Sequence, residues 1–335
     1  MNNYFQLSSE DQRRVLQQAS ARLGLPPQAI EKDLWVTTVL QLVFTLPFAD
    51  KLIFKGGTSL SKVWHQIERF SEDLDLAVDR SLFGMEGDLT KKQIKKLRKT
   101  SSLFVKDTLC PALQSKVEEY GLSAHCSLTA EPNGEGDNTY PEPRRIFVNY
   151  RSACAEQLEY LSSEVMLEVG ARSLLEPNEQ ASVHSMVEAL FPTIQTTLVD
   201  SPVTTALASK TFLEKIFLLH EIFSVEGRGA TAERKSRHLY DLSRMMDADF
   251  ALAAIHDDEL WESIRHHREI FTSVRGMDYT PDIRKRITLV PQGEIRAVWE
   301  RDYKSMCSSM IYGDKPTFEQ LLGQMETLEK RFREA

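Results

Sequence analysis

The feature that most restricts the fold of this chain is a pair of glycines between an apolar run and a helical pattern. Leu52-Ile-Phe54 is the apolar run, Gly56-Gly57 follows after Lys55, and the helical pattern extends from Thr58 to Phe70. The next segment alternates aspartate with leucine, which is typical of a strand with one buried face. Strand, glycine turn, helix and strand in this order predict an α/β unit.

Other segments predict how this unit is extended. Apolar side chains recur at helical spacing near both ends of the chain and alternate in several segments of its middle. The predicted helices cover residues 8–23, a segment opened by Pro26-Pro27, residues 91–99 and most of the chain from Val203 onward, and the predicted strands cover residues 123–130, 146–151 and 165–169. The sequence therefore predicts an α/β (α+β) fold with a mixed sheet flanked by helices and a helical C-terminal domain.

The chain is predicted to consist of three parts. Residues 1–50 form a helical segment that packs on a catalytic domain, residues 51–200 form that domain, and residues 201–335 form the helical C-terminal domain. With 335 residues, 41% of them hydrophobic and 27% charged, the chain has the length and composition of a globular protein of about two domains.

Composition also limits the compartment and the partners. The four cysteines are scattered without a CxxC pair, so neither a zinc site nor a disulfide framework is predicted, and a cytoplasmic location is expected. The N-terminus lacks a signal-peptide pattern, and the most apolar stretch, residues 34–49, is too short and too polar to span a membrane. The net charge of −8 disfavours a surface that coats nucleic acid broadly, but it is compatible with a local basic patch.

The glycine pair and the aspartates together predict a site for phosphate and metal. Gly56-Gly57 allows the backbone to approach a ligand, and the following helix N-terminus with Thr58-Ser59 can donate hydrogen bonds to phosphate oxygens. Asp73 and Asp75 are two residues apart on a strand, so their carboxylates face one side and suit Mg²⁺. Each pattern alone is typical of an ordinary turn or a solvated strand face, whereas their combination favours the functional interpretation.

Two motifs in this unit resemble those of the AbiEii/AbiGii toxin family, part of the nucleotidyltransferase superfamily with a DNA polymerase β-like catalytic fold. The motifs are Lys55-Gly-Gly-Thr-Ser-Leu-Ser-Lys62 and Arg69-Phe-Ser-Glu-Asp-Leu-Asp75. Similar family stretches occur as Glu31-Lys-Asp-Leu-Trp-Val36 and as Phe212-Leu-Glu-Lys-Ile216 with Arg237-His-Leu-Tyr-Asp-Leu242. The resemblance extends from about residue 28 to residue 245 and implies a nucleotidyltransferase-type mixed sheet.

The resemblance also implies the roles of individual residues. Asp73 and Asp75 would hold Mg²⁺, while Gly56, Gly57, Thr58 and Ser59 would cradle the triphosphate of an NTP. Lys215 would meet phosphate charge, and Asp241 would complete the site or orient Lys215. An ordinary salt bridge between two helices is the alternative interpretation of Lys215 and Asp241. His238 stands where family members often have aspartate, so the acidic role is assigned to Asp241 alone.

A third carboxylate is usual in this superfamily, and Glu168 is the candidate. It is a lone acid within the apolar strand Val165-Met-Leu-Glu-Val169, and burying an unpaired carboxylate is unfavourable. The environment of Glu168 is therefore predicted to contain a metal or a basic partner. A salt bridge to Arg172 is the competing interpretation.

The segment from Lys91 to Lys99 places six cations in nine residues. Ile94 and Leu97 mark its inner face, so the cations share the outer face of a helix. Such a face can dock a phosphate backbone, for example an RNA end, or it can simply be solvated. The predicted acceptor-binding residues are Lys92, Lys95, Lys96 and Lys99.

These observations lead to one main functional hypothesis and two alternatives. The main hypothesis is a Mg²⁺-dependent enzyme that moves a nucleotide from an NTP to an acceptor, with the tRNA 3′ end favoured and a protein hydroxyl second. The resemblance implies the toxin of a toxin–antitoxin or phage-defence (abortive infection) system, with a cognate antitoxin protein as partner. The alternatives are a phosphotransferase or kinase on the same fold, and a catalytically silent module that binds a nucleotide or a partner.

Overall fold

The chain consists of two compact units. A computed structural model describes residues 2–71, 73–136, 139–154, 162–196 and 202–335. The first unit contains residues 1–63 and 71–205, and the second contains residues 64–70 and 206–335. No helix within the described ranges is long and apolar enough to cross a bilayer.

A mixed seven-stranded sheet forms the centre of the first unit. The strands of the described chain are β1 (Asn2–Asn3), β2 (Leu52–Lys55), β3 (Asp73–Val78), β4 (Cys126–Ala130), β5 (Arg144–Tyr150), β6 (Glu164–Gly170), β7 (Asn178–Ala181), β8 (Ile194–Gln195) and β9 (Val203–Ala206). The sheet order is β4-β5-β6-β3-β2-β9-β7, and β1 pairs separately with β8. Because β3 lies between β6 and β2, the strand that carries both aspartates is at the centre of the sheet.

Helices cover one side of this sheet. The helices of the first unit are α1 (Ser9–Leu23), α2 (Pro27–Val43), α3 (Gly56–Lys62), α4 (Lys91–Phe104), α5 (Cys110–Glu119) and α6 (Met186–Leu190). Every residue from Leu34 to Val43 in α2 is buried, and α2 packs against β3 and β6. The predicted mixed sheet with flanking helices is therefore confirmed.

The two faces of the sheet have different characters because side chains alternate along each strand. On the covered face, Leu74 and Leu76 of β3 are fully or nearly fully buried, as is Leu167 of β6. On the opposite face, Asp73 and Asp75 are only partly buried. The aspartates therefore lie on the face that has access to solvent.

The second unit is helical. Its helices are α7 (Ala208–Ser224), α8 (Arg237–Met245), α9 (Asp249–Ile255), α10 (Asp258–His267), α11 (Ile295–Ser309) and α12 (Phe318–Glu334). Helix α7 is the most buried of them and packs against α8, α9 and α10. The apolar residues Phe212, Leu213, Ile216 and Phe217 of α7 are fully buried, which agrees with the helical pattern predicted from the sequence.

Two predicted helix boundaries are wrong. The helix predicted for residues 58–70 begins earlier, at Gly56, and ends at Lys62, because the following residues have their partners in the second unit. There, Trp64 Nε1 donates to the carbonyl of Ala206 at 3.0 Å, and Phe70 N donates to that of Met310 at 2.8 Å. The chain from Val203 onward also begins as strand β9, and helix starts only at Ala208.

Candidate active site

Gly56 is packed directly against the carboxylate of Asp75. Gly56 has φ of +82°, a left-handed conformation that glycine adopts without strain. A Cβ atom at this position would lie 2.1 Å from Asp75 Oδ2. The group packed against the Gly56 backbone in this structure is the Asp75 carboxylate.

The hydroxyls of Thr58 and Ser59 stabilise the same turn. Both residues are fully buried. Thr58 Oγ1 lies 2.5 Å from the carbonyl oxygen of Asp73 and 2.9 Å from Ser71 Oγ, and Ser59 Oγ donates to the carbonyl of Gly56 at 2.8 Å. The Thr58 hydroxyl thus attaches α3 to β3, whereas the Ser59 hydroxyl closes the first turn of α3 on itself.

Strand pairing brings Glu168 next to Asp75. In the parallel ladder between β3 and β6, Asp75 is the register partner of Glu168, and Asp73 is the partner of Met166. Register partners point to the same face of a sheet. Asp73, Asp75 and Glu168 therefore share the solvent-accessible face of the sheet.

The partner of Glu168 is Arg145 of β5. Arg145 Nε donates to Glu168 Oε1 at 2.9 Å, whereas Arg172 binds Glu142. The hydrogen bond with Glu168 raises the pKa of Arg145, and the nearby charges of Glu131 and Asp73 act in the same direction. The predicted salt bridge thus forms with a different arginine, because β5 rather than the loop after β6 lies beside Glu168.

The carboxylates of this face fit a Mg²⁺ ion that also uses substrate oxygens. Mg²⁺ in enzymes is often bound by one or two carboxylates together with substrate phosphates and water. Asp73 and Asp75 provide two oxygen ligands on one face of β3. Among the described residues, no group of three or more acidic, histidine or cysteine side chains could hold a metal ion by itself.

The second unit contains a buried cluster around Asp241. Asp241 accepts two hydrogen bonds from Arg69, at 2.6 and 2.7 Å, and its Oδ2 lies 2.9 Å from Lys215 Nζ. All three side chains are at least nine-tenths buried. The predicted pairing of Lys215 with Asp241 between two helices therefore exists, and Arg69 adds a second cation to it.

The electrostatics of this cluster follow from its burial. Burial raises the pKa of Asp241, but Arg69 and Lys215 outweigh it and hold that pKa well below its usual range. Burial lowers the pKa of Lys215 against the attraction of Asp241. His238, with Nδ1 3.3 Å from Lys215 Nζ, has a pKa well below the usual value because of burial and the adjacent cations. Arg69 and Lys215 therefore place two basic side chains on the one carboxylate of Asp241.

The basic helix is present and exposed. Helix α4 begins at Lys91 with a capping box formed by Thr90 and Gln93. Leu97 is buried. The exposed cations of α4 are Lys91, Lys92, Lys95, Lys96 and Lys99. Lys99 Nζ lies 5.1 Å from the centre of the Tyr140 ring, so an aromatic side chain accompanies the cations.

Two residues of these sites were not assigned a role from sequence. Arg69 is the first residue of the motif that contains both aspartates, and its charge was the signal that the sequence offered. Arg145 lies just before the strand predicted for residues 146–151, and its partner depends on strand order, which no local pattern reveals. Both are arginines that bind a carboxylate of the predicted set.

The arrangement defines a class of enzyme. A glycine turn against a central strand, with two aspartates on its open face, is the arrangement expected of a nucleotidyltransferase. A family model described as "Nucleotidyl transferase AbiEii toxin, Type IV TA system" matches residues 40–324. The chain belongs to this family of nucleotidyltransferase toxins of type IV toxin–antitoxin systems, which implies an NTP substrate and an antitoxin partner.

Solved structures agree with the fold. Seven chains are similar to this protein. One is MenT4, nucleotidyltransferase toxin Rv2826c from Mycobacterium tuberculosis H37Rv, with 15% sequence identity and a TM-score of 0.50 over 98% of this chain and 88% of that chain. At this identity the likeness supports the fold alone. No curated protein matches the chain.

Proposed function

We propose that this toxin transfers a nucleotide from an NTP to the 3′ end of a tRNA, with Mg²⁺ bound by Asp73 and Asp75. The observation that carries the proposal is the packing of Gly56 against Asp75 on the same sheet face as Asp73 and Glu168. Mg²⁺, when bound, would screen the phosphate charge and orient the phosphates. A tRNA acceptor is supported by the exposed cations of α4.

The protein's own groups would bind and orient the reactants. Residues 56–59 would place the turn close to the triphosphate, with the Thr58 hydroxyl holding that turn against β3 and the Ser59 hydroxyl bonded within it. Lys215, held by Asp241, would supply positive charge to the phosphates. The acceptor oxygen bonds to the α-phosphorus as the bond from that phosphorus to the bridging oxygen breaks, so pyrophosphate leaves and the hydroxyl proton passes to water.

The experiment that tests this proposal is a labelling assay. Purified protein is incubated with Mg²⁺, total RNA and each α-labelled NTP in turn, and the products are separated by size. We expect label in the tRNA fraction, removable by a 3′ exonuclease, and no label with Asp73→Asn or Asp75→Asn. A γ-labelled NTP should leave no label on the acceptor.

Three results would contradict the proposal. Retention of γ-label would indicate a phosphotransferase. Label on a protein instead of RNA would replace the proposed acceptor, and tRNA labelling by both aspartate variants at the wild-type rate would remove the catalytic assignment of β3. The thermal unfolding of each variant serves as the control for folding.

A further inference from the structure

Three consecutive charged residues of α2, Glu31, Lys32 and Asp33, bind three different parts of the first unit. We propose that they are positioning residues that fix the elements carrying the active-site groups: helix α3, strand β6 and the end of strand β5. The inference deepens the proposed function and rests on it for the identity of those elements. Each of the three side chains has its own set of contacts.

Asp33 holds helix α3. Its Oδ1 accepts a hydrogen bond from Lys62 Nζ, at the last residue of α3, and its Oδ2 accepts from the backbone N–H of Met186 at 2.7 Å. The side chains of Lys62 and Asp33 are only 9% and 12% exposed. Because α3 has only seven residues, a contact at its C-terminal end constrains Gly56 at its other end.

Lys32 holds the start of strand β6. Its Nζ donates to the carbonyl of Ser162 at 3.1 Å and to that of Glu164, the first residue of β6. Glu164 and Glu168 are four residues apart and therefore lie on the same face of the strand. A shift of the start of β6 would move Glu168 relative to Asp75, its register partner.

Glu31 holds the chain just after strand β5. One carboxylate oxygen accepts from the N–H of Ala153 at 2.6 Å, and the other accepts from Ser152 Oγ. One turn further along α2, the Trp35 ring stacks on Tyr150, the last residue of β5, with centroids 5.1 Å apart. Strand β5 carries Arg145, so α2 contacts both strands whose side chains form the Glu168 pair.

The contacts of Glu31 and Lys32 have a desolvation cost that simple packing of α2 would avoid. Glu31 and Lys32 are 2% and 5% exposed, and burying charged groups is unfavourable unless hydrogen bonds compensate. An apolar helix face would pack without this cost. Charge-assisted hydrogen bonds are short and directional, however, and apolar contacts do not fix orientation as closely. Successive helical residues point about 100° apart, so one turn of α2 reaches three elements.

The test uses the full-length protein and the Asp33–Lys62 pair. Asp33→Asn, Lys62→Met and the double variant are compared by kcat and KM for the NTP, by thermal unfolding, and by hydrogen exchange of residues 56–62. The control is Glu221→Gln, which weakens a buried ion pair with Arg268 in the second unit.

We expect each single variant to lower kcat/KM by about tenfold to hundredfold, the range typical of residues that orient active-site groups without contacting the substrate. The double variant should lose no more than the worse single variant, because both remove one interaction. Exchange should accelerate in residues 56–62. Glu221→Gln should lower the unfolding temperature with kcat/KM and exchange in residues 56–62 unchanged.

Two outcomes would overturn the inference. The first is wild-type kcat/KM in both single variants, and the second is a double variant whose loss is the product of the two single losses. Hydrogen exchange separates this failure from failure of the proposed function. If wild type transfers no nucleotide at all, faster exchange confined to residues 56–62 still supports the role of Asp33, and unchanged exchange rejects it.

Discussion

Gly56 and Asp75 are fitted to each other: the space that a Cβ at Gly56 would occupy is filled by the Asp75 carboxylate, with 2.1 Å to Oδ2. Gly56 belongs to the glycine turn and Asp75 to the central strand, so the contact joins the two motifs that define the site. The orientation of the carboxylate therefore depends on the absence of a side chain at residue 56.

Gly56→Ala should abolish nucleotide transfer. The added methyl group would displace Asp75, and φ of +82° would strain any residue with a Cβ. The control is Gly84→Ala, where φ is +66° but nothing lies within 4 Å of an added Cβ. Both variants should lose about 1–2 kcal/mol of stability from backbone strain. Transfer by Gly56→Ala at the rate of Gly84→Ala would show that the fit is not needed.

Lys215→Met should reduce NTP use about 100-fold, and much more than Lys210→Met. The two lysines are five residues apart on α7 and therefore point about 140° apart. Lys215 pairs with Asp241, whereas Lys210 is fully buried and its Nζ lies 3.8 Å from Glu214 Oε1. Steady-state kinetics on folded protein makes the comparison, since either change can affect stability. An equal or larger loss at Lys210 would assign the phosphate contact to the other side of α7.

Glu168→Gln and Arg145→Met distinguish a metal ligand from a structural ion pair. If Glu168 contributes to binding the metal, Glu168→Gln should raise the Mg²⁺ concentration needed for half-maximal transfer by about tenfold, while Arg145→Met leaves it close to the wild-type value. The two side chains are joined by one hydrogen bond of 2.9 Å. Identical Mg²⁺ titrations of both variants would mean that Glu168 acts only through Arg145.

Reversing Lys92, Lys95, Lys96 and Lys99 to glutamate should weaken use of an RNA acceptor and leave NTP binding nearly unchanged. Clustered cations bind a phosphate backbone by releasing counterions, so the slope of log affinity against log salt should become shallower by about 0.7 per lost contact. The control reverses the exposed cations Arg301, Lys304, Lys315 and Lys330 and changes net charge equally. Equal effects of the four α4 substitutions and the four control substitutions would show that the cations of α4 form only a solvated helix face.

The stability of the protein should fall between pH 6.5 and pH 4, in part because of His220. Burial lowers the pKa of His220 to about 4, and its Nδ1 accepts a hydrogen bond from Thr288 N at 3.2 Å. In this window only the unfolded state takes up the proton. The free energy of unfolding therefore decreases by about 3 kcal/mol as pH falls from 6.5 to 4.

Urea unfolding of wild type and His220→Gln at several pH values measures this contribution. The variant, less stable at pH 7, should lose less on acidification, and the difference isolates His220 because His238 and the carboxylates are common to both proteins. Above pH 6.5 the two stability curves should run parallel. Parallel curves down to pH 4 would show that His220 is not the responsible group.

The sequence by itself determined the local parts of the site. Alternation of aspartate and leucine specified β3 and the face of Asp73 and Asp75, because side chains alternate in any strand. The glycine pair indicated a turn between a strand and a helix, and Gly56 lies at that point with φ of +82°. The spacing of apolar residues specified α2, α4 and α7, because helical periodicity is also a local property.

Only the tertiary structure decided the pairings between distant segments. Arg69 and Asp241 are separated by 172 positions, and Glu168 pairs with Arg145 because β5 and β6 are neighbours in the sheet. The helix predicted to reach residue 70 ends at Lys62, since residues 64–70 find hydrogen-bond partners in the second unit that outweigh their helical tendency. Local patterns follow from backbone geometry, whereas these contacts depend on which buried polar groups meet when the whole chain has folded.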